Sequence, residues 1–273
     1  GGLNLSAKWL AMNTTSGPGA RFHHYTFWTG TYMLVVGGTN PSSVWQGNIY
    51  RYNPATDTWL TPSASSIAAP SSINYGAQAV WAGNLGVVVV GGGYGVTSMN
   101  TYDPTTNAFT AKTAGGGSLG MAVTVWTGTE MVYWGGRNAG TSTATYHFNP
   151  TTNAWSAGTA RAGAICASHH EGIHTGTYLI TVGGYNCGAG LNNQAGRYNT
   201  STKVWSAMGG GGGSPPAATN GQSWGWDGTR VVLWGGCLTD AACSGGFYNG
   251  GYLYNPTTDA YTAMSTAGGI AAS

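Results

Sequence analysis

Met33-Leu34-Val35-Val36-Gly37-Gly38 is the first of five apolar runs that end in a glycine pair. The others are Val87-Val88-Val89-Val90-Gly91-Gly92, Met131-Val132-Tyr133-Trp134-Gly135-Gly136, Leu179-Ile180-Thr181-Val182-Gly183-Gly184 and Val231-Val232-Leu233-Trp234-Gly235-Gly236. Their first glycines, at 37, 91, 135, 183 and 235, stand 54, 44, 48 and 52 residues apart. A second signature follows each run, beginning at Tyr52, Tyr102, Phe148, Tyr198 and Tyr254 and ending seven residues later at Trp59, Phe109, Trp155, Trp205 and Tyr261. A third precedes each run as a short turn: Trp28-Thr29-Gly30, Trp81-Ala82-Gly83, Trp126-Thr127-Gly128, His174-Thr175-Gly176 and Trp226-Asp227-Gly228. Self-similarity at a period near 50 residues marks a repeat architecture.

Each unit reads as four short strands. Strand a ends at the Trp-Thr-Gly turn, and strand b is the buried run before the glycines. Strand c ends at Tyr-Asn-Pro, and an Asp/Asn turn leads into strand d with its aromatic residue. Val, Trp, Tyr and Thr favour strands, and no segment carries a sustained 3.6-residue apolar period. Four strands per unit is the pattern of a propeller blade.

The glycine pair after strand b and the Tyr-to-Trp spacing downstream resemble the kelch-repeat β-propeller family in its bacterial, secreted form. The resemblance covers nearly the whole chain. It implies an all-β fold, a single β-propeller domain over 1–273 with five kelch-like four-stranded blades at approximately 21–62, 75–112, 120–158, 168–208 and 221–264. Function does not follow from that, because propellers host many chemistries. One d-type strand is surplus: residues 5–12, Leu5-Ser6-Ala7-Lys8-Trp9-Leu10-Ala11-Met12, match the strand that includes Trp205-Ser206-Ala207-Met208. Either this N-terminal strand closes the last blade, or the C-terminal strand keeps that place and the N-terminal one is spare. A spare strand can add to a neighbour's sheet edge and so join copies.

Composition narrows the function. Only 6% of the 273 residues are charged, against roughly 25% in a typical soluble domain. The net charge of +2, from nine basic and seven acidic residues, cannot build the basic face that nucleic acid requires. No apolar run approaches the roughly 20 residues of a membrane-spanning helix. Glycine (48 residues), Thr, Asn and Ser supply the polar surface, a composition suited to secretion or a cell surface. Sequons at Asn4, Asn13 and Asn199 permit glycosylation.

All four cysteines fall in b–c or d–a loops, which share one face of an up-and-down blade. Four cysteines allow three connectivities, and proximity along the units favours Cys166–Cys187 and Cys237–Cys243. Disulfides place the chain in an oxidising, extracellular compartment. The same loop-rich face carries Trp45, Tyr94, Arg137, Asn138, Tyr185, Asn186 and Tyr248, the aromatic and amide groups of a glycan-binding surface.

His170-Glu171-Gly172-Ile173-His174 spells the zinc-protease pattern H-E-x-x-H. That chemistry needs a helix, where residues four apart share a face about 6 Å apart. The segment instead aligns with strand a, where the two histidines stand ~13 Å apart, too far for one ion. His169, His170 and Glu171 remain candidates for a ligand at the channel mouth. Arg21-Phe22-His23-His24, at the matching position of the first unit, reads as a structural entry that bonds loop backbone. Paired carboxylates, a nucleophile elbow and a phosphate loop are absent, and no motif matches the Tyr, His and Tyr–Cys copper set of kelch-type oxidases.

The sequence thus leads to a non-catalytic extracellular or cell-surface protein in structural assembly or adhesion, without cofactor or metal. Its expected partners are itself, as a filament or oligomer joined by the surplus strand, and glycans or another surface protein. A lectin is the first alternative and a channel-mouth enzyme the second. Deleting residues 1–12 is expected to abolish self-association measured by light scattering; an unchanged oligomeric state would exclude the strand as connector.

Overall fold

Each apolar run before a glycine pair becomes the second strand of a four-stranded antiparallel sheet. The computed structural model describes residues 11–63, 78–90, 98–115, 120–137, 143–161, 167–168, 171–183, 185–186, 190–191, 195–213, 221–238 and 246–265. Sheet 1 comprises Tyr25–Trp28 (β1), Met33–Val36 (β2), Ile49–Asn53 (β3) and Thr58–Trp59 (β4). Sheet 2 comprises Gln78–Trp81 (β5), Val87–Val90 (β6), Met99–Asp103 (β7) and Ala108–Lys112 (β8). Sheet 3 comprises Gly120–Trp126 (β9), Met131–Arg137 (β10), Thr145–Asn149 (β11) and Ala154–Ala157 (β12). Ala167–Ser168 (β13), Tyr185–Asn186 (β16) and Gly190–Leu191 (β17) form a small separate sheet. Around it runs sheet 4, made of Glu171–His174 (β14), Tyr178–Val182 (β15), Gly196–Asn199 (β18) and Val204–Ser206 (β19). Sheet 5 closes the series with Ser223–Trp226 (β20), Val231–Trp234 (β21), Gly251–Asn255 (β22) and Ala260–Ala263 (β23). The five expected four-stranded units are therefore five antiparallel sheets, built from consecutive strands except in sheet 4, where β16 and β17 intervene in the small sheet. The last strand, β23, stays in its own sheet beside β22.

Local chemistry explains the turns. Glycine pairs end the second strands of sheets 1 and 5, where the chain enters the left-handed region: φ is +65° and +93° at Gly37 and Gly38, and +72° and +104° at Gly235 and Gly236, whereas β10 runs on through Gly135 and Gly136 to Arg137. A Cβ on Gly38 would lie 2.9 Å from the His24 Cβ. Between the third and fourth strands, an Asn or Asp carboxyl or amide oxygen accepts the backbone N–H two residues on, as Asn53 does from Ala55, Asp103 from Thr105 and Asn255 from Thr257. The residue four beyond it is left-handed in every sheet, with φ between 51° and 59° at Asp57, Asn107, Asn153, Lys203 and Asp259. Asn and Asp tolerate that conformation; Lys203 does not share their advantage.

Burial is deepest in the second strands, whose two faces are both covered. Leu34, Val88, Val132 and Ile180 are all 0% exposed. Fourth strands bury one face only, as the alternation at β8 and β12 records. Four apolar clusters hold the sheets in order, each joining one sheet to the next: 1 with 2, 2 with 3, 3 with 4 and 4 with 5. First strands of successive sheets also meet, β5 against β9, β9 against β14 and β14 against β20. Among the described residues no helix is long and apolar enough to cross a membrane.

Replacing Lys203 by Asn removes a left-handed lysine and restores the side chain its counterparts use. Lys203→Asn is expected to raise unfolding stability by about 0.5–1 kcal/mol in denaturant titration, despite losing the exposed Lys203 Nζ to Ser156 Oγ hydrogen bond.

Candidate interaction face

The junction between neighbouring sheets has three parts, and they recur with one polarity. First, aliphatic side chains of one sheet enter an aromatic-lined face on the next. At the first junction Leu34, Val36 and Ile49 meet Ala79, Val87 and Tyr102, ringed by Trp81 and Phe109. At the third, Val132 and Trp134 meet Leu179, Tyr198 and Trp205.

Second, a cation crosses to the carbonyl of the next sheet's turn proline. Arg51 Nη1 donates to Pro104 O at 2.8 Å, Lys112 Nζ to Pro150 O at 3.1 Å and Arg197 Nη1 to Pro256 O at 3.2 Å. Arg51 and Arg197 precede the aromatic of the third strand, and each also lies over a tyrosine ring, Tyr32 and Tyr178 respectively. In sheet 3 the same two positions hold His147 and Glu130.

Third, the left-handed turn residue captures the backbone that leaves the preceding sheet. Asn153 Oδ1 accepts from Thr113 N, and Asp259 accepts from Gly209 N and Gly210 N. Asp57 does the same for Asn13, accepting its backbone N–H at 2.9 Å.

The third junction departs from the rule for a reason visible in its residues. Its turn has Thr200 in place of proline, and Lys203 in place of the Asn or Asp that accepts the tyrosine hydroxyl elsewhere. Tyr52, Tyr102 and Tyr254 donate to Asp57, Asn107 and Asp259. Tyr198, facing a lysine, turns to the neighbouring sheet and meets His147 Nε2 at 2.7 Å, while His147 Nδ1 meets Glu130 Oε2 at 2.8 Å. The network assigns the tautomer: Nδ1–H donates to Glu130 and Nε2 accepts from Tyr198. This Glu–His–Tyr order is that of an activated nucleophile, yet Tyr198 is 0% and His147 1% exposed, so no substrate reaches them. The set is a buried latch. Burial holds the His147 pKa below the ordinary imidazole value, with Lys203 acting in the same direction and the Glu130 hydrogen bond opposing.

The residues named from sequence disperse around this framework. Trp45 bridges back to Thr39 and packs against the core between sheets 1 and 2. Tyr248 stacks on Tyr252 at 6.3 Å, and burial together with their hydrogen bond pushes its pKa up to about 12. Arg137 ends β10 opposite Gly120, and Glu171 opens β14 opposite Val182. Tyr185 and Asn186 pair with Ser168 and Ala167 in the small sheet. Tyr94, Asn138, His169 and His170 lie outside the described residues, as do Asn4, Cys166, Cys187 and Cys243. Cys237 is disulfide-bonded. Asn13 commits its side-chain nitrogen to Asp57 O at 3.1 Å, and Asn199 commits its oxygen to its own turn. Arg21 bonds loop backbone, donating to Gly37 O at 2.8 Å. Glu171–His174 is extended strand, not the helix that a shared zinc would need.

What sequence reading missed is the first sheet's open face. Thr26, Phe27, Trp28, Met33, Tyr52 and Pro54 wall a cavity of about 490 Å³. Trp28, Met33, Tyr52 and Pro54 are the counterparts of Trp81, Val87, Tyr102 and Pro104, the face that receives sheet 1 on sheet 2. Here it receives no described sheet: Trp28 is 55% exposed, and no described side chain donates to the Pro54 carbonyl. A second, polar cleft of about 240 Å³ lies between the turns of sheets 1 and 2, lined by Thr29, Thr31, Trp81, Asn84, Asp103 and Thr105 among others.

A neutral buried histidine fixes a pH response. The unfolded chain protonates His147 near its ordinary pKa of about 6.5, whereas the folded chain resists until lower pH. Stability is therefore full above that value and falls as pH drops through the window between the two. His174, also lowered by burial, contributes with the same sign. His147→Leu is expected to cost about 1–3 kcal/mol at pH 7.5, by stranding the Tyr198 hydroxyl, and to flatten the fall in denaturation midpoint between pH 7 and 5.

No family profile matches the chain, and no curated protein matches its sequence.

Proposed function

We propose that the five sheets are kelch-like blades of a β-propeller array, and that the protein is a non-catalytic extracellular component of structural assembly or adhesion. The observation that carries this reading is the open receiving face of the first sheet. Four copies of one junction are made inside the chain, and the first sheet presents half of a further one. A face built to receive a sheet, and not covered by a described one, supports an assembly role. The cationic side chains support the same reading, because Arg21, Arg51, Lys112 and Arg197 are all committed to holding backbone or neighbouring sheets.

The bonded state of Cys237 supports an oxidising location. We place the disulfides at Cys166–Cys187 and Cys237–Cys243. In support of the first, Ala167 and Asn186 are cross-strand partners, and each is the sequence neighbour of one of those cysteines.

The lectin reading draws on the polar cleft between sheets 1 and 2. Trp81 offers an aromatic platform there, with Asn84 and Asp103 as polar partners. It ranks second because Asp103 is already engaged by the Thr105 amide and the Thr106 hydroxyl.

Negative-stain electron microscopy with light scattering on the purified chain is expected to show ordered, concentration-dependent assemblies. A monodisperse monomer at every concentration would overturn the assembly reading, and specific retention on a glycan array would then favour the lectin.

A further inference from the structure

We propose that the polar cleft between the turns of sheets 1 and 2 binds one neutral sugar ring, seated on Trp81 and held by Thr31, Asn84 and Asp103. This site rests on the lectin reading, to which it adds a ligand class, and it holds whether or not the chain assembles.

The cleft owes its character to a turn that sheet 2 alone possesses. Between first and second strands, the other four sheets carry Thr29, Thr127, Thr175 and Asp227. Each of these side-chain oxygens accepts the backbone N–H three residues on, from Tyr32, Glu130, Tyr178 and Arg230. Sheet 2 has Ala82 at that position, which has no side-chain acceptor. Its turn is also longer, since Trp81 to Val87 spans one residue more than Trp28 to Met33 or Trp126 to Met131. The extra residue is absorbed by the short 3₁₀ turn Gly83–Leu85, closed by backbone bonds from Leu85 N to Ala82 O and Gly86 N to Gly83 O. Gly86 is required there, because φ is +77° and a Cβ would collide with the Tyr102 carbonyl. Asn84 is thus held exposed in the middle of the turn, and its amide bonds to no described residue. The insertion occurs once, so the chain carries one such site.

The lining selects the ligand by elimination. Asp103 is its one formal charge. Asp103 Oδ1 accepts from the Thr105 amide at 2.8 Å and Oδ2 from the Thr106 hydroxyl at 2.9 Å, which leaves each oxygen able to accept again. The Thr105 amide holds the carboxyl below its ordinary pKa, so it stays ionised and repels anions. A hard cation needs six or more oxygens, and a single carboxylate with both oxygens engaged does not supply that set. An apolar ligand would cover Asn84 and Asp103 without pairing them. A neutral polyhydroxylated ring meets every group: its hydroxyls donate to Asp103 and pair with Asn84 and Thr31, while its C–H face packs on the Trp81 indole. The cleft, at about 240 Å³, is smaller than the roughly 300–1,000 Å³ of pockets for drug-sized ligands, so it takes one ring and not a chain.

Saturation-transfer NMR of the full chain tests this with the methyl glycosides of glucose, galactose, mannose, fucose and N-acetylglucosamine, and with methyl glucuronide as the acidic counterpart. At least one neutral glycoside is expected to bind saturably, with a dissociation constant on the order of 1 mM, and the glucuronide about tenfold more weakly. Asn84→Ala, at an exposed turn position, is expected to weaken the neutral ligand roughly fivefold to tenfold with unchanged circular dichroism. Asp103→Asn places there the residue that Asn53, Asn149 and Asn255 supply to the matching turns, so the fold is kept. It is expected to weaken the neutral ligand and to abolish the discrimination against glucuronide. Neutral binding that is unchanged in both variants would overturn this cleft as the site while leaving the lectin reading intact. Preference for the glucuronide would overturn the ligand class. No binding of any neutral glycoside would overturn the site and the lectin reading together. Should Asn84→Ala fail to fold, Asp103→Asn decides alone.

Discussion

The sheet-to-sheet junction is the interaction on which everything else in this molecule depends. A single four-stranded sheet of short strands has no core of its own, because its two faces must both be covered. Leu34 is buried only because Ala79, Val87 and Tyr102 lie opposite, and Val132 only because Leu179 and Tyr198 do. The stack therefore stands or falls as a series of nearest-neighbour contacts, and its ends are where that logic stops being satisfied.

The scarcity of charge becomes intelligible in this light. With 6% charged residues the chain cannot rely on surface ion pairs, which are worth little in any case. The few cations instead span junctions and donate to backbone carbonyls, where the geometry is fixed by the turn that follows each third strand. Proline at that turn leaves its carbonyl free of helical or ladder duties, and Arg51, Lys112 and Arg197 take it from the preceding sheet. Where the turn has lost its proline, a neutral histidine stands in the cation's place, and the bond moves to the tyrosine hydroxyl. The exception obeys the same requirement as the rule: a buried polar group needs a partner.

This view also bears on how function is recognised. The H-E-x-x-H string and the Glu130–His147–Tyr198 arrangement each resemble catalytic machinery from one angle. The described part of the first is extended strand, and the second is sealed between sheets. The loop residues that suggested glycan binding are partly occupied as well: Trp45 supports the core of sheets 1 and 2, and Tyr248 leans on Tyr252. The exposed aromatic of greatest interest, Trp28, was hidden in plain view inside a turn signature that all five units share in some form.

The sequence by itself determined the local elements. Glycine pairs, Asx turns and left-handed Asn or Asp positions act within a few residues, so Met33–Val36 and Tyr52–Trp59 could be read as strand and hairpin without any partner in view. Repetition then fixed the number of four-stranded sheets, because every unit repeats the same local solution, while the small sheet of β13, β16 and β17 lies outside the repeat. Only the tertiary structure decided which faces are covered and which groups bond across junctions. His147 and Tyr198 are 51 residues apart, and nothing near either one announces the other. The same holds for the open face at Trp28: its side chains are those of a covered face, and exposure follows from the lack of a described neighbour. Local conformation is written in adjacent residues, but burial is a property of what lies opposite.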